Sequence, residues 1–121
     1  MKEEDVLAFV SATIKSLWVL ELLLLMRREG QRSWQTGELV GELRASTLVV
    51  REALAALAGA GLVAADEQGF FCYRPASELL DSFVDHAAAL YAAKPLAVIN
   101  AIASAPNEKL RIFSDAFRLK D

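Results

Sequence analysis

The sequence predicts a mainly helical fold with one small β-hairpin, arranged as one compact domain. Alanine and leucine are strong helix formers and fill about a third of the 121 positions. Apolar residues also recur at spacings of three and four along most of the chain, which is the helical period. Only one stretch, 70–73, is rich in aromatic residues next to a polar turn, as is typical of a strand. A chain of this length can bury a core as a single domain.

Composition excludes several classes of protein. With 55% hydrophobic and 24% charged residues, the chain is neither disordered nor fibrous. A single cysteine, Cys72, and a single histidine, His86, provide neither an internal disulfide nor a zinc site. We find no phosphate-binding loop and no nucleophile–base pair, so we expect a protein that is not an enzyme and needs no metal or cofactor.

The expected location is the cytoplasm, with no contact to a membrane. Residues 1–5 are acidic, whereas a secretory leader begins with basic residues. The longest apolar run, 17–26, has ten residues and contains Glu21. A membrane-spanning helix needs about 20 apolar residues, so this run is interpreted as a buried core helix.

Four helices are predicted in the first half of the chain. The first has an acidic start, which suits the positive end of the helix dipole. Each of the other three follows a serine or threonine that can accept a hydrogen bond from a free backbone N–H group. The predicted helices are 3–14, 17–29 after Ser16, 37–44 after Thr36, and 47–59 after Ser46.

A hairpin and three further helices are predicted in the second half. Residues 62–65 and 70–74 lie on either side of the turn 66–69 and are expected to pair as antiparallel strands. Ser77 precedes an amphipathic helix, Pro95 suits the first turn of the next one, and Asn107 precedes the last. These helices are 78–93, 96–104 and 108–119, the last with Leu110, Phe113 and Phe117 as its apolar stripe.

The order helix, helix, turn, helix, hairpin is that of a winged helix-turn-helix. The stretch LRASTLVVREALAALAGAGLV, with a serine at the start of its helix and a Gly-Leu-Val step into the hairpin, resembles bacterial MarR-like transcriptional regulators. The resemblance covers roughly residues 16–75. It implies an N-terminal helix in 1–15, a winged helix-turn-helix in 16–76, and a helical C-terminal extension in 77–121 for dimerisation or docking.

The same resemblance implies that helix 47–59 enters the major groove of duplex DNA and that the terminal helices form a homodimer. If Val50, Ala53, Leu54 and Leu57 face the core, the exposed face carries Thr47, Leu48, Arg51, Glu52 and Ala55. Arg51 and Thr47 are then candidates for base edges, and Leu48 for a thymine methyl group. The candidates for the phosphate backbone are Arg32, Arg44, Ser46 and Arg74.

The charge distribution supports a second hypothesis. The hairpin tip, 66–69, contains two acidic residues and no basic one, and Glu52 lies where phosphates would approach. In this hypothesis the exposed face of helix 47–59 binds a protein. Leu48 and Val49 provide the apolar contact, and the acidic tip attracts a basic partner. Both functions remain open at the level of sequence.

Several single residues have an ordinary structural interpretation. Glu21 is expected to be hydrogen-bonded or paired with an arginine such as Arg44, because buried charges need partners. Cys72 is interpreted as a small buried hydrophobe, and His86 as a solvent-facing residue. Trp18 and Trp34 are expected to fill core, with a ligand pocket as the less favoured alternative.

Overall fold

The computed structural model describes residues 1–104 and confirms a mainly helical fold with a small two-stranded antiparallel sheet. Helix 108–119, predicted from the sequence, lies outside the described residues. The elements are α1 (Glu3–Thr13), α2 (Leu17–Arg28), α3 (Thr36–Leu43), α4 (Thr47–Gly59), β1 (Val63–Ala65), β2 (Phe71–Tyr73), α5 (Glu78–Ala93) and α6 (Pro95–Ser104).

Helix α2 is the centre of the core. The predicted cap is confirmed, since the Val19 N–H donates to Ser16 Oγ at 3.2 Å. Leu20, Leu22, Leu23 and Met26 are fully buried, and the helix packs mainly against α4. Burial of each such side chain contributes about 1.5–3 kcal/mol. The hydrophobic run that is too short to span a membrane is therefore the principal core element.

The turn between α3 and α4 is three residues long, from Arg44 to Ser46. The predicted cap of α4 is confirmed, because the Val49 N–H donates to Ser46 Oγ at 3.1 Å. The predicted cap of α3 is wrong, since Thr36 is already helical and Gln35 is the capping residue. The Gln35 N–H donates to the Glu38 carboxylate at 2.9 Å, and this bond fixes the start of the helix one residue earlier.

The hairpin forms where predicted, with three residues in each strand. Val63 pairs with Tyr73, Ala64 with Cys72, and Ala65 with Phe71. At the turn, Asp66 Oδ1 accepts from the N–H groups of Gln68 and Phe70, both at 2.9 Å. Gly69 has a φ of +82°, a conformation that residues with a Cβ rarely adopt. On its other edge β2 forms an isolated antiparallel bridge with Trp34.

The N-terminal helix and the two helices after the hairpin pack together. Phe9 of α1 stacks on Phe83 of α5, with ring centroids 4.9 Å apart. In α6, Val98 and Ile102 are buried, whereas Leu96 is 72% exposed. Among residues 1–104, no single helix is long and apolar enough to cross a membrane.

Polar contacts join α5 to α2 and to the hairpin. Glu21 accepts a hydrogen bond from the Tyr91 hydroxyl at 3.1 Å, which confirms that its carboxylate is hydrogen-bonded, and it forms no ion pair with Arg44 among residues 1–104. The reason is geometric, because Arg44 lies in the turn after α3 whereas the Glu21 side chain points towards α5. Arg27 forms an ion pair with Asp85, and the Tyr73 hydroxyl donates to Asp81 at 2.6 Å.

Candidate functional site

The exposed face of α4 is the one predicted from the sequence. Val50, Ala53, Leu54 and Leu57 are buried. The opposite face is exposed at Thr47, Leu48, Arg51, Glu52 and Ala55. Leu48 is 65% exposed. This face, with the preceding turn, presents one apolar, one basic and several small or polar side chains.

The N-terminal end of α4 brings five of the seven predicted site residues together. Arg44, Ser46, Thr47, Leu48 and Arg51 lie within the turn and the first five residues of the helix. Ser46 Oγ already accepts a backbone hydrogen bond as the cap. The helix dipole adds a partial positive charge at this end, which favours an approaching anion.

Arg32 has a structural role that sequence reasoning missed. Its guanidinium carbon lies 3.5 Å from the centre of the Trp34 ring, a cation–π contact. The same guanidinium donates to Glu38 Oε2 at 3.2 Å. A phosphate at Arg32 would therefore compete with the Glu38 carboxylate. Residue spacing alone could not predict this contact, because the bridge between Trp34 and Phe71 positions the tryptophan.

Arg74 lies at the base of the hairpin, away from its tip. It directly follows β2, is exposed, and donates its backbone N–H to the Leu62 carbonyl at 3.1 Å. The tip itself carries Asp66 and Glu67, both exposed. Asp66 has a defined structural role as the acceptor of two backbone N–H groups in the turn. The hairpin thus presents its negative charge at the tip and its positive charge at the base.

Some cationic side chains form ion pairs with carboxylates, and others do not. Within residues 1–104 the ion pairs are Arg27–Asp85, Arg32–Glu38 and Lys94–Glu3. Arg44, Arg51 and Arg74 take part in none of them. All three are also exposed, so their charges face solvent and can meet an anionic partner.

A shallow cavity of about 660 Å³ lies between α2, β2 and α5. Its lining includes Arg27 and Arg28 on one side and Asp81 and Asp85 on the other. Burial, with the hydrogen bond to Asp81 as a second cause, raises the pKa of Tyr73 well above the ordinary value for tyrosine. The hydroxyl therefore stays protonated and acts as a donor rather than as a base.

The remaining sequence candidates have ordinary environments. Cys72 is half-buried in β2. His86 is exposed, and its Nδ1 lies 2.8 Å from the Ser82 carbonyl oxygen one turn earlier. In the described part of the chain, no group of three or more His, Cys, Asp or Glu side chains could hold a metal ion.

The two tryptophans differ from each other. Trp34 is 1% exposed and fills core as expected, whereas Trp18 is 42% exposed and the expectation for it is wrong. Trp18 lies in the first turn of α2. It lines a groove of about 340 Å³ between α2 and α4, together with Lys15, Val49 and Glu52. Val49 is thus half-buried on this groove and is less exposed than its neighbour Leu48.

Comparisons of the chain with protein-family models, with curated proteins and with solved structures give no match.

Proposed function

We propose that this chain is a winged helix-turn-helix protein that binds duplex DNA as a homodimer through α4 and regulates transcription. The observation that carries the proposal is the exposed N-terminal end of α4. There, Arg44 and Arg51 are free of ion pairs among residues 1–104, next to a helix terminus that favours anions.

The order of elements supports the winged helix-turn-helix. A three-residue turn joins α3 to α4, as in a helix-turn-helix, and α4 is followed directly by the hairpin. The bridge between Trp34 and Phe71 adds a third short segment to the sheet, between α2 and α3 in the chain. In this arrangement α4 is the recognition helix and the hairpin is the wing.

The chemistry of the α4 face fits the major groove. The guanidinium of Arg51 can donate two hydrogen bonds to guanine, Thr47 can reach a base edge, and Leu48 can contact a thymine methyl group. Arg44, in the turn before the helix, is positioned for a phosphate. Arg74, at the base of the hairpin next to the C-terminal end of α4, is a further exposed cation, while Arg32 contacts Trp34 and Glu38.

In a homodimer, the small number of cations on each chain becomes sufficient for binding to DNA. One protomer offers Arg44, Arg51 and Arg74, and a homodimer doubles this set across two half-sites. Contacts of Arg44 and Arg74 with phosphates release counterions, so the affinity falls with salt. Leu79 and Leu96, at 62% and 72% exposure, leave apolar surface on α5 and α6 for a second protomer.

Fluorescence anisotropy with labelled genomic DNA fragments between 50 and 200 mM salt tests the proposal. We expect binding that weakens steeply over this range, because phosphate contacts release counterions. Arg51→Ala should cost about 1–3 kcal/mol with the preferred site and relax its sequence preference. Arg28→Ala is the matched control, since it removes the same charge from an exposed arginine at the far end of α2.

A protein partner is the second candidate function, and the exposure of Leu48 favours it. An exposed apolar side chain on α4, together with an acidic hairpin tip, suits a basic protein surface. Absence of DNA binding across the whole salt range would overturn the DNA proposal and leave this function. Equal losses in Arg51→Ala and Arg28→Ala would show only a general charge effect and would contradict the proposed orientation of α4.

A further inference from the structure

We propose that two polar contacts act as a clasp between α5 and the unit formed by α2 and the hairpin, and that the start of α5 moves away from this unit when the clasp opens. The first contact is the hydrogen bond from the Tyr73 hydroxyl to Asp81, at 2.6 Å. The second contact is the ion pair between Arg27 and Asp85. The inference does not rest on DNA binding.

The apolar attachment of α5 is to α1 and lies away from the hairpin. Phe83 of α5 stacks on Phe9 of α1, and α5 packs mainly against this helix. The buried residues of α5 are Val84 and Ala87, and both lie beyond its first six residues. Residues 78–83 therefore have no buried side chain that fixes them to the hairpin. Strand β2, in contrast, packs directly against α2.

A cavity separates the start of α5 from the hairpin and the end of α2. It has a volume of about 660 Å³, and its lining includes all four side chains of the clasp. Unfilled space provides no dispersion contacts, so the two polar contacts hold the walls together where packed side chains do not. Among residues 1–104, the bond from Tyr73 to Asp81 is the only side-chain hydrogen bond between the hairpin and α5.

The two contacts differ in their response to salt. Burial raises the pKa of Tyr73, with the hydrogen bond to Asp81 as a second cause, so the hydroxyl remains a neutral donor. Salt screens a bond between a neutral donor and a carboxylate less than it screens two net charges. Asp85 is exposed and Arg27 is half-buried, and an ion pair of this kind is weak and screened. Ions in the solvent therefore weaken the second contact while the first remains.

Hydrogen exchange of single backbone amides in the full chain tests the proposal. The Ala76 N–H donates to the Gly61 carbonyl at 2.8 Å, which joins the segment before α5 to the segment before the hairpin. This bond breaks when the start of α5 moves away. Tyr73→Phe removes the hydroxyl and keeps the ring, so exchange at Ala76 should become about three- to tenfold faster.

Two other amides distinguish movement of α5 from loss of the fold. The Arg74 N–H donates to the Leu62 carbonyl at the base of the hairpin, and Leu54 is buried in the middle of α4. Both amides should exchange in Tyr73→Phe at the rate of the unaltered protein, because the hairpin and the core stay intact.

Tyr91→Phe is the matched control. It removes another tyrosine hydroxyl that donates to a carboxylate, but this bond joins the far end of α5 to Glu21 of α2. Exchange at Ala76 should therefore stay at the rate of the unaltered protein.

A salt series tests the ion pair. Between 50 mM and 1 M sodium chloride, exchange at Ala76 in the unaltered protein should become faster by at most about fivefold. Arg27→Gln lacks the ion pair and should lose this dependence. If Tyr73→Phe does not fold, Asp81→Asn and the salt series in the unaltered protein provide the test.

Three results would contradict the proposal. Unchanged exchange at Ala76 in Tyr73→Phe would show that the hydrogen bond does not hold α5. Equal increases at Ala76, Arg74 and Leu54 would show that the bond only stabilises the whole fold. The same salt dependence in Arg27→Gln as in the unaltered protein would remove the ion pair from the clasp. A failure to bind DNA has no bearing on these results, so the two proposals are tested separately.

Discussion

Arg44 adopts a left-handed backbone conformation at the end of α3, with φ of 54° and ψ of 39°. This conformation brings the Cβ of an L-residue close to the following carbonyl and costs about 1–2 kcal/mol. Glycine usually occupies such a position because it has no Cβ. An arginine here is therefore a local loss of stability at the residue that joins α3 to the turn before α4.

Arg44→Gly separates the conformation of this residue from its charge. Relief of the left-handed strain, offset by the greater entropy of an unfolded glycine, should raise the free energy of unfolding by about 0.5–1 kcal/mol. The same change should weaken DNA binding, because a phosphate contact is lost. Urea denaturation measures the first effect and anisotropy the second.

Arg44→Ala is the control for this pair of effects, since it loses the charge but retains the Cβ. It should weaken DNA binding to the same degree without any gain in stability. A decrease in stability of Arg44→Gly would contradict the account of strain. Unchanged DNA binding in both variants would remove Arg44 from the proposed interface.

At the scale of single residues, sequence reasoning succeeded where the signal was local. The exposure of Thr47, Leu48 and Arg51 followed from helical spacing alone. The contact of Arg32 with Trp34 did not, because it depends on strand pairing with Phe71. The hydrogen bond of Glu21 was predicted but its donor was not, since Tyr91 is distant in sequence and close only in the fold.

Helix α3 depends on one carboxylate at its start. Glu38 accepts the backbone N–H of Gln35, which is the main reason that its pKa is lower than the ordinary 4.5; Arg32 adds to the effect. A pKa that is lowered on folding stabilises the folded state above the pKa of the unfolded chain. That stability is lost as the pH falls through the pKa of Glu38 in the folded state, which is the lower of the two pKa values.

Glu38→Gln should therefore reduce the loss of stability on acidification. Glutamine cannot ionise, so the variant lacks this contribution at neutral pH and has nothing to lose between about pH 5 and pH 3. Urea midpoints measured across this range provide the test. Glu42→Gln is the control, an exposed glutamate of the same helix. A pH dependence equal in both variants would show that Glu38 has no special part in the start of α3.

At the scale of elements, capping signals located most helix starts. Ser16, Ser46 and Ser77 all accept the predicted backbone bond, because a serine cap acts within three residues of sequence. The prediction of Thr36 as a cap was wrong, because the Gln35 N–H and the Glu38 carboxylate form a hydrogen bond that starts the helix one residue earlier. Burial along α6 was harder to predict, since periodicity identifies an apolar stripe and cannot identify the element that covers it. Leu96 shows this most clearly.

At the scale of the whole molecule, charge is the strongest constraint on function. The chain has a net charge of −3, and the tip of its hairpin carries Asp66 and Glu67. Asp66 is fixed by its role in the turn, where it accepts two backbone N–H groups. Glu67 has no hydrogen bond or ion pair among residues 1–104. The negative charge of Glu67 can therefore be changed without disturbing the turn.

Glu67→Lys tests whether the wing approaches DNA. If the tip lies beside a phosphate, the variant replaces a repulsion with an attraction in each protomer, and affinity should rise. The logarithmic salt dependence should also become steeper by about two units for a dimer, because each new phosphate contact adds about 0.9. Anisotropy at several salt concentrations measures both quantities.

Glu29→Lys is the matched control, an exposed glutamate at the end of α2 with the same change in charge. If the two variants gain affinity equally, the effect is one of net charge, and the wing points away from the duplex. If only Glu67→Lys gains, the wing lies on the DNA, and the acidic tip of the natural sequence limits affinity and leaves discrimination to α4.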